Sequence, residues 1–142
     1  MAGMSNTLID KVINATTPTG TAGIPGTYTA YAASAMKVRL NSTASTAAAV
    51  GTELTAGSGY TAGGASIANA STTSSGGTGV TLPATTALSW TNSGATWSIV
   101  SFDLTDSAGA RTWFGNFNGQ PTSVASGNTF QIAVAGISIN AA

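Results

Sequence analysis

Short runs in which apolar and polar residues alternate set the narrowest limits on the fold of this chain. Alternation is typical of strands, because successive side chains of a strand point to opposite faces of the sheet. Gly, Asn, Ser and Pro separate the runs, which lie at 36–40, 65–68, 80–82, 87–90, 97–104, 111–117, 121–124 and 129–139. About eight strands at this spacing predict an all-β domain, either a single β-sandwich or a jelly-roll-like barrel.

The second half of the chain carries the strongest strand signals. Trp97–Leu104 reads W-S-I-V-S-F-D-L and is predicted to form one long strand. The turn residues Asp106–Gly109 then lead into Arg111–Phe117, which predicts an antiparallel hairpin. The last run, 129–139, alternates throughout, and Gly136 is expected to form a bulge or bend within that strand.

The first half is less regular. In 36–40 the apolar residues Met36, Val38 and Leu40 are predicted to face inward, and Lys37 is expected to face solvent. Residues 41–49 are rich in Ser, Thr and Ala, and both a loop and a short helix remain open. Residues 57–64 are rich in glycine, but no GK[ST] follows, so we interpret them as a loop with Tyr60 packed inward rather than a phosphate-binding loop.

The N-terminal segment shows a different period. Within Ser5–Asn14, the spacing of four apolar residues predicts one amphipathic face of a short helix; they are Leu8, Ile9, Val12 and Ile13. An isolated helix of this length has marginal stability, so it must pack against its own domain or a neighbouring protein. We therefore expect an N-terminal helical arm at 1–18, with these four side chains as interface residues, and a β-sandwich domain at 19–142.

Charge is the scarcest property of the sequence. The 142 residues include four Lys or Arg, four Asp or Glu, and no His or Cys. Histidine is the usual acid–base group near neutral pH, and soft metal sites need Cys or His. This composition predicts a non-enzymatic protein with no catalytic residues, no cofactor and no metal. Four scattered cations do not favour nucleic acid binding, and no apolar run is long enough for a membrane helix.

Three polar groupings are weighed as sites. One hairpin turn carries Asp103, Asp106 and Arg111. The two aspartates could form an acid–base pair, or one could cap the turn beside a cross-strand ion pair. The second interpretation is favoured. Calcium binding by these two aspartates with Asn92 is disfavoured, because no loop has the required density of oxygen ligands. A Ser–Lys dyad through Lys37 or Lys11 is formally open but also disfavoured.

The three tryptophans are the remaining candidates. Trp90, Trp97 and Trp113 would make a carbohydrate platform if their faces were exposed on one surface. Each lies in a predicted strand with apolar neighbours, so packing in a core or interface is favoured.

The order of these residues resembles a known family. The segments that carry the resemblance are Leu40, Glu53-Leu54, Gly59-Tyr60, Leu88-Ser89-Trp90, Ile99–Leu104, Trp113-Phe114-Gly115 and Gly127–Phe130. Over about Met36–Ile139 the chain is similar to small virion proteins of tailed bacteriophages, described as capsid decoration (cement) proteins or minor tail proteins. The family pattern has a His before a T-x-x-P-like loop, where this chain has Lys37–Leu40 and Asn41–Thr43.

The resemblance implies a structural protein of a virion that is assembled in the host cytoplasm. The leading hypothesis is a capsid decoration protein that binds the outer surface of a phage head as a multimer. Its partners would be the major capsid protein and itself, as a homodimer or homotrimer, without nucleic acid or membrane. Zero net charge favours such an assembly, because it gives little repulsion between copies. A minor tail or tail-fibre component and a carbohydrate-binding adhesion module remain alternatives.

Overall fold

A computed structural model describes residues 2–4, 36–67, 79–82, 86–106 and 108–140. Within these ranges the chain is all-β, as predicted, and contains no helix. The strands are β1 Ala2–Met4, β2 Lys37–Asn41, β3 Ala65–Ser66, β4 Gly79–Leu82, β5 Leu88–Thr91, β6 Trp97–Ile99, β7 Ser101–Thr105, β8 Arg111–Asn116, β9 Thr122–Val124, β10 Thr129–Ile132 and β11 Ile137–Asn140. The predicted helix at Ser5–Asn14 lies outside the described residues.

One five-stranded antiparallel sheet forms the centre of the fold. Its strand order is β1-β8-β7-β2-β3, and three antiparallel pairs, β10-β5, β11-β4 and β6-β9, complete the described structure. β1 belongs to the predicted N-terminal arm and pairs with β8, with Gly3 opposite Phe114. The chain therefore places its first strand at one edge of the main sheet.

The register divides the main sheet into an apolar face and a polar face. Residues directly opposite each other in neighbouring strands lie on the same face. On the apolar face, Val38 lies opposite Leu104 and Leu40 lies opposite Phe102. Val38, Leu40 and Leu104 are completely buried, and Met36 is 6% exposed, so the inward positions of this strand were predicted correctly.

A chain of aromatic rings links the apolar face to the smaller sheets. The ring centroids of Phe102 and Phe117 are 5.3 Å apart, and those of Phe117 and Phe130 are 5.4 Å apart. Phe130 in turn lies 6.2 Å from Trp90, on the partner strand β5. These spacings are those of favourable aromatic pairs. The shared core makes the fold β-sandwich-like.

The predicted strand Trp97–Leu104 is wrong as one unit, because its pairing partners change at Val100. The backbone N–H of Val100 donates to the Asn41 carbonyl, and the Val100 carbonyl accepts from the N–H of Phe117. Before this residue β6 pairs with β9, and after it β7 pairs with β2 and β8. The apolar positions change phase here, and the adjacent apolar pair Ile99-Val100 is the sign of the change that the sequence offers.

The predicted strand at 129–139 also divides. β10 ends at Ile132, and the N–H of Gly136 donates to the Ala133 carbonyl across a tight turn at 2.9 Å. Ala135 takes a left-handed conformation there, with φ of 57°. Gly136 therefore closes a turn between β10 and β11 rather than bending one strand. Two divided strands and the added β1 account for the larger number of strands observed.

The predicted hairpin and the glycine-rich loop are confirmed. β7 pairs with β8 across the Asp106–Ala110 turn. Gly57 and Tyr60 exchange both backbone hydrogen bonds around Ser58 and Gly59, which have φ values of 53° and 91°. Positive φ at both central positions is typical of a type I′ turn. A Cβ at Gly59 would collide with the Thr91 carbonyl oxygen, so close approach also requires this glycine.

Candidate functional site

The polar face of the main sheet is covered by residues 42–52, which we call the clamped loop. It follows β2 and returns to the sheet at Glu53, opposite Asn41. The N–H of Ser42 donates to the Thr52 carbonyl at 2.7 Å, which closes the base of the loop. The structure settles the choice left open for 41–49 in favour of a loop.

A buried carboxylate lies at the centre of the covered face. The side chain of Asp103 is completely buried, and its Oδ2 atom lies 2.9 Å from Nη2 of Arg39 on the neighbouring strand. Its Oδ1 atom lies 3.7 Å from Nη1 of Arg111. Removing a carboxylate from water is costly unless it is paired and hydrogen-bonded, and the two guanidinium groups supply that pairing.

Uncharged side chains extend this cluster toward the loop. Nδ2 of Asn41 donates to Oδ2 of Asp103 at 2.8 Å, and this contact fixes the orientation of the buried amide. The Ser45 and Ser101 hydroxyls lie 3.2 Å apart. Ser101 donates to the Thr43 carbonyl, and Ser45 accepts from the N–H of Gly51. The network therefore joins both limbs of the loop to the sheet.

Two side chains of β8 hold the rest of the loop. Nη1 of Arg111 donates to the Ala49 carbonyl at 2.8 Å, and Nη2 donates to the Ala47 carbonyl at 3.0 Å. Asn116 accepts from the N–H of Ser45 and donates to its carbonyl. The guanidinium group of Arg111 also lies 5.3 Å from the centre of the Phe114 ring. These contacts fix the backbone of the loop from below.

The tip of the clamped loop faces solvent. Residues 46–50 are all exposed, and the side chain of Val50 is 54% exposed. Ala47, Ala48 and Ala49 precede it, so four apolar residues in succession lie on the surface. Among the described residues, Val50 and Val134 are the large hydrophobic side chains that are exposed. The tip is therefore a short exposed apolar segment whose backbone is held by the buried side chain of Arg111.

The structure separates the two aspartates that the sequence placed around one turn. Oδ1 of Asp106 accepts from the N–H groups of Ala108 and Ala110, so this carboxylate caps its own turn. Asp103 instead pairs with Arg39 and Arg111 beneath the loop. The favoured interpretation, a turn aspartate beside a cross-strand ion pair, is confirmed.

Arg39, Asn41, Ser45 and Ser101 were missed as members of this cluster. A charged residue between buried apolar neighbours was the available signal, in V-R-L at 38–40 and F-D-L at 102–104. Alternation does predict that Arg39 lies on the other face of the sheet from Val38 and Leu40. That face is covered, however, and the Arg39 side chain is only 16% exposed.

Asn92, the third calcium candidate, has its own partners. It is completely buried, and Nδ2 donates to the carbonyls of Ala95 and Val124. Its Oδ1 atom accepts from the N–H of Gly94. Across the described ranges, the structure contains no group of three or more acidic residues that could hold a metal ion.

The tryptophans do not share one open surface. Trp90 and Trp97 are 5% and 8% exposed and belong to the core, which confirms the packing interpretation for both. Trp97 makes an edge-to-face contact with Tyr60, with ring centroids 6.4 Å apart. Trp113 is partly buried against the same core.

Tyr60 is buried, as predicted, and its hydroxyl group connects the glycine-rich segment to β2 and Glu53. Its hydroxyl donates to Oε1 of Glu53 at 2.9 Å and accepts from the N–H of Leu40 at 3.2 Å. Oε1 of Glu53 also accepts from the N–H of Gly63. Burial, followed by the hydrogen bond with Glu53, raises the pKa of Tyr60 above its ordinary value of 10.0.

A groove of about 500 Å³ lies beside the clamped loop. Glu53, Leu54 and Thr55 line one side, and Thr96, Trp97 and Ser98 line the other. Its lining contains a single carboxylate and several hydroxyl groups, which suits hydrogen bonding more than catalysis.

None of the described residues forms a helix of the length and hydrophobicity that crossing a membrane requires.

The predicted interface residues Leu8, Ile9, Val12 and Ile13 lie outside the described residues, and so does Lys11. Lys37, the other lysine of the Ser–Lys alternative, is half-buried at the start of β2.

Comparison with protein-family models, curated proteins and solved structures found no match to this chain.

Proposed function

We propose that the chain is a non-enzymatic structural protein of a phage virion, which binds the outer surface of the head as a multimer and stabilises it. The supporting observation is the placement of charge. Of six charged residues in the described ranges, Arg39, Asp103 and Arg111 form the covered cluster. Glu53 and Asp106 accept hydrogen bonds from the chain's own backbone.

The surface that remains suits close packing against other proteins. It consists largely of alanine, glycine and hydroxyl-bearing side chains, with little charge to remove from water. The centres of protein interfaces are depleted in Lys, Glu and Asp for this reason. An enzyme or a nucleic acid-binding protein would expose charged or titratable groups instead.

The clamped loop supplies a defined contact within this surface. Arg111 holds the backbone on both sides of Ala48, so the apolar tip is already ordered before binding. Ordering a loop on association costs free energy, and a preformed loop avoids this cost. The tip at 46–50 is therefore proposed as one contact, and the predicted N-terminal arm as another.

The first test is whether the chain belongs to a virion. Particles should be purified from cells that carry the encoding phage genome, with and without the gene for this chain. We expect the chain in wild-type particles by mass spectrometry, and heads without it should release DNA at a lower temperature. Absence of the chain from purified particles would contradict the proposed function. Labelling on the tail instead of the head would favour the tail-component alternative.

The second test concerns the contact surface. Ala48→Lys adds a charge to the loop tip, and Ala125→Lys adds the same charge to an exposed position after β9. We expect the first variant to bind gene-deleted heads at least tenfold more weakly in a co-sedimentation assay, and the second to bind like the wild type. Leu8→Ser with Val12→Ser tests the predicted arm in the same assay. Wild-type binding by both the loop and the arm variants would exclude these two contacts.

A further inference from the structure

The turn after β8 contains a reactive pair of residues that the proposed function does not use. Asn118 is followed by Gly119, and this is the only Asn-Gly pair in the sequence. Both residues are exposed. Gly119 has φ of 73°, and a Cβ added to it would meet no atom within 4 Å. Glycine at 119 therefore adds no side chain that would crowd the exposed Asn118 side chain.

We propose that Asn118 is a site of spontaneous deamidation. The backbone nitrogen of Gly119 attacks Cγ of Asn118, a new C–N bond forms, and the Cγ–Nδ2 bond breaks. The side-chain nitrogen leaves as ammonia and takes up the proton lost by the backbone amide. Water then adds to either carbonyl of the resulting succinimide ring and opens it, which gives aspartate or isoaspartate and releases a proton.

Four other asparagines of the described ranges are protected by burial, by hydrogen bonds or by the residue that follows. Asn41 and Asn92 are completely buried, and their amides are held by two or more partners. Asn116 is bonded to both backbone groups of Ser45. Asn128 is exposed but precedes Thr129, whose branched side chain hinders attack by its nitrogen. Asn118 is therefore favoured over these four asparagines, and no other asparagine of the sequence precedes a glycine.

The product differs from the original chain in charge and in backbone length. Each conversion changes the formal net charge from zero to minus one, on a surface that carries little other charge. Isoaspartate also inserts a methylene group into the main chain directly after Phe117, whose ring packs 5.3 Å from Phe102. A purified sample is thus expected to change with age into acidic forms, whether or not the chain belongs to a virion.

The test uses the full chain and two matched variants, Asn118→Gln and Asn128→Gln. Samples are incubated at neutral and at mildly alkaline pH, separated by isoelectric focusing and digested for peptide mass spectrometry. We expect acidic forms in the wild type and in Asn128→Gln, faster at the higher pH, with the change confined to the peptide that contains residue 118. Asn118→Gln should lose at least nine-tenths of these forms.

Isoaspartate gives a second, independent readout. An isoaspartyl methyltransferase should label the aged wild type and leave aged Asn118→Gln unlabelled. Equal accumulation of acidic forms in Asn118→Gln, with an unmodified 118-containing peptide in the wild type, would overturn the proposal. Thermal unfolding of the fresh variants confirms that each has folded before incubation.

Discussion

The two faces of the main sheet bury similar strands by different means. On the apolar face, Val38, Leu40 and Leu104 pack without directional requirements, and their burial is favourable in proportion to the area removed from water. On the polar face, Asp103 is completely buried and Arg39 is largely covered, and both are held by specific pairs and hydrogen bonds. A polar network of this kind holds its cover in one arrangement, because each displaced partner leaves an unsatisfied group.

The difference also separates two roles for one sheet. The apolar face joins the main sheet to the rest of the core, through Phe102 and Phe117. The polar face joins it to the clamped loop, whose tip meets solvent. Three of the six charged residues in the described ranges thus lie beneath one loop and hold its conformation.

The largest expected effect comes from removing the central carboxylate. Asp103→Ala leaves the buried guanidinium group of Arg111 and the largely covered one of Arg39 without their anion. Breaking a buried pair in this way typically costs about 3–5 kcal/mol. Urea denaturation should show this loss in the free energy of unfolding. Asp106→Ala is the matched control, and the loss of its turn hydrogen bonds should cost only about 1 kcal/mol. Equal effects of the two changes would mean that the buried cluster contributes no more than a turn.

The apolar face is tested by adding volume to it. A Cβ at Gly115 would lie 2.5 Å from the ring of Phe102, opposite it on β7. Overpacking a core in this way typically costs about 1–3 kcal/mol, so Gly115→Ala should lower the thermal midpoint. Gly109→Ala has open space around it and isolates the cost of left-handed φ alone. A smaller loss for Gly115→Ala than for Gly109→Ala would show that the ring moves aside easily.

Arg111→Lys separates the charge of the cluster from its hold on the loop. Lysine keeps the positive charge but lacks the planar fork that reaches the carbonyls of Ala47 and Ala49 together. We expect a loss of about 1.5 kcal/mol, the scale of one hydrogen bond to a charged group. Hydrogen exchange should become faster at 46–50 and stay unchanged in β5 and β10. Unchanged exchange at the loop would contradict its clamping by this side chain.

The smallest effect is expected at alkaline pH. Because the folded state raises the pKa of Tyr60 above 10.0, the unfolded chain loses this proton first, and stability falls as pH rises above that value. The slope approaches about 1.4 kcal/mol per pH unit for a single group. Tyr60→Phe lowers stability at neutral pH by removing the hydroxyl contacts, but it should remove this part of the alkaline slope. An unchanged slope would show that Tyr60 ionises equally in both states.

Alternation predicted which side chains face the core, because that property is local. Met36, Val38 and Leu40 were placed correctly in this way, and Tyr60 was placed inward through the interpretation of 57–64 as a loop. The division at Val100 was missed because it depends on a change of partner strands, which involves Asn41 and Phe117 from distant parts of the sequence. The residues at 133–136, Ala-Val-Ala-Gly, are small or apolar and fit either a strand or a turn.

The candidate site was harder to predict than the core. The ion pair near Arg111 was expected, but its cover was not, since residues 42–52 have no periodic pattern that assigns them to a face. Whether a charged strand residue meets water or a loop depends on the path of that loop. The pairing of Arg39 with Asp103 joins residues 64 positions apart and follows from the register of β2 and β7.

The enclosed cluster has a consequence for the response of the protein to salt. At an ionic strength of about 0.1 M, dissolved ions largely screen exposed charges that are more than about 10 Å apart, but they screen buried pairs much less. The described part of the chain keeps its ion pairs beneath the clamped loop. Both its folding and any association through its neutral exterior should therefore change little between low and high salt concentration.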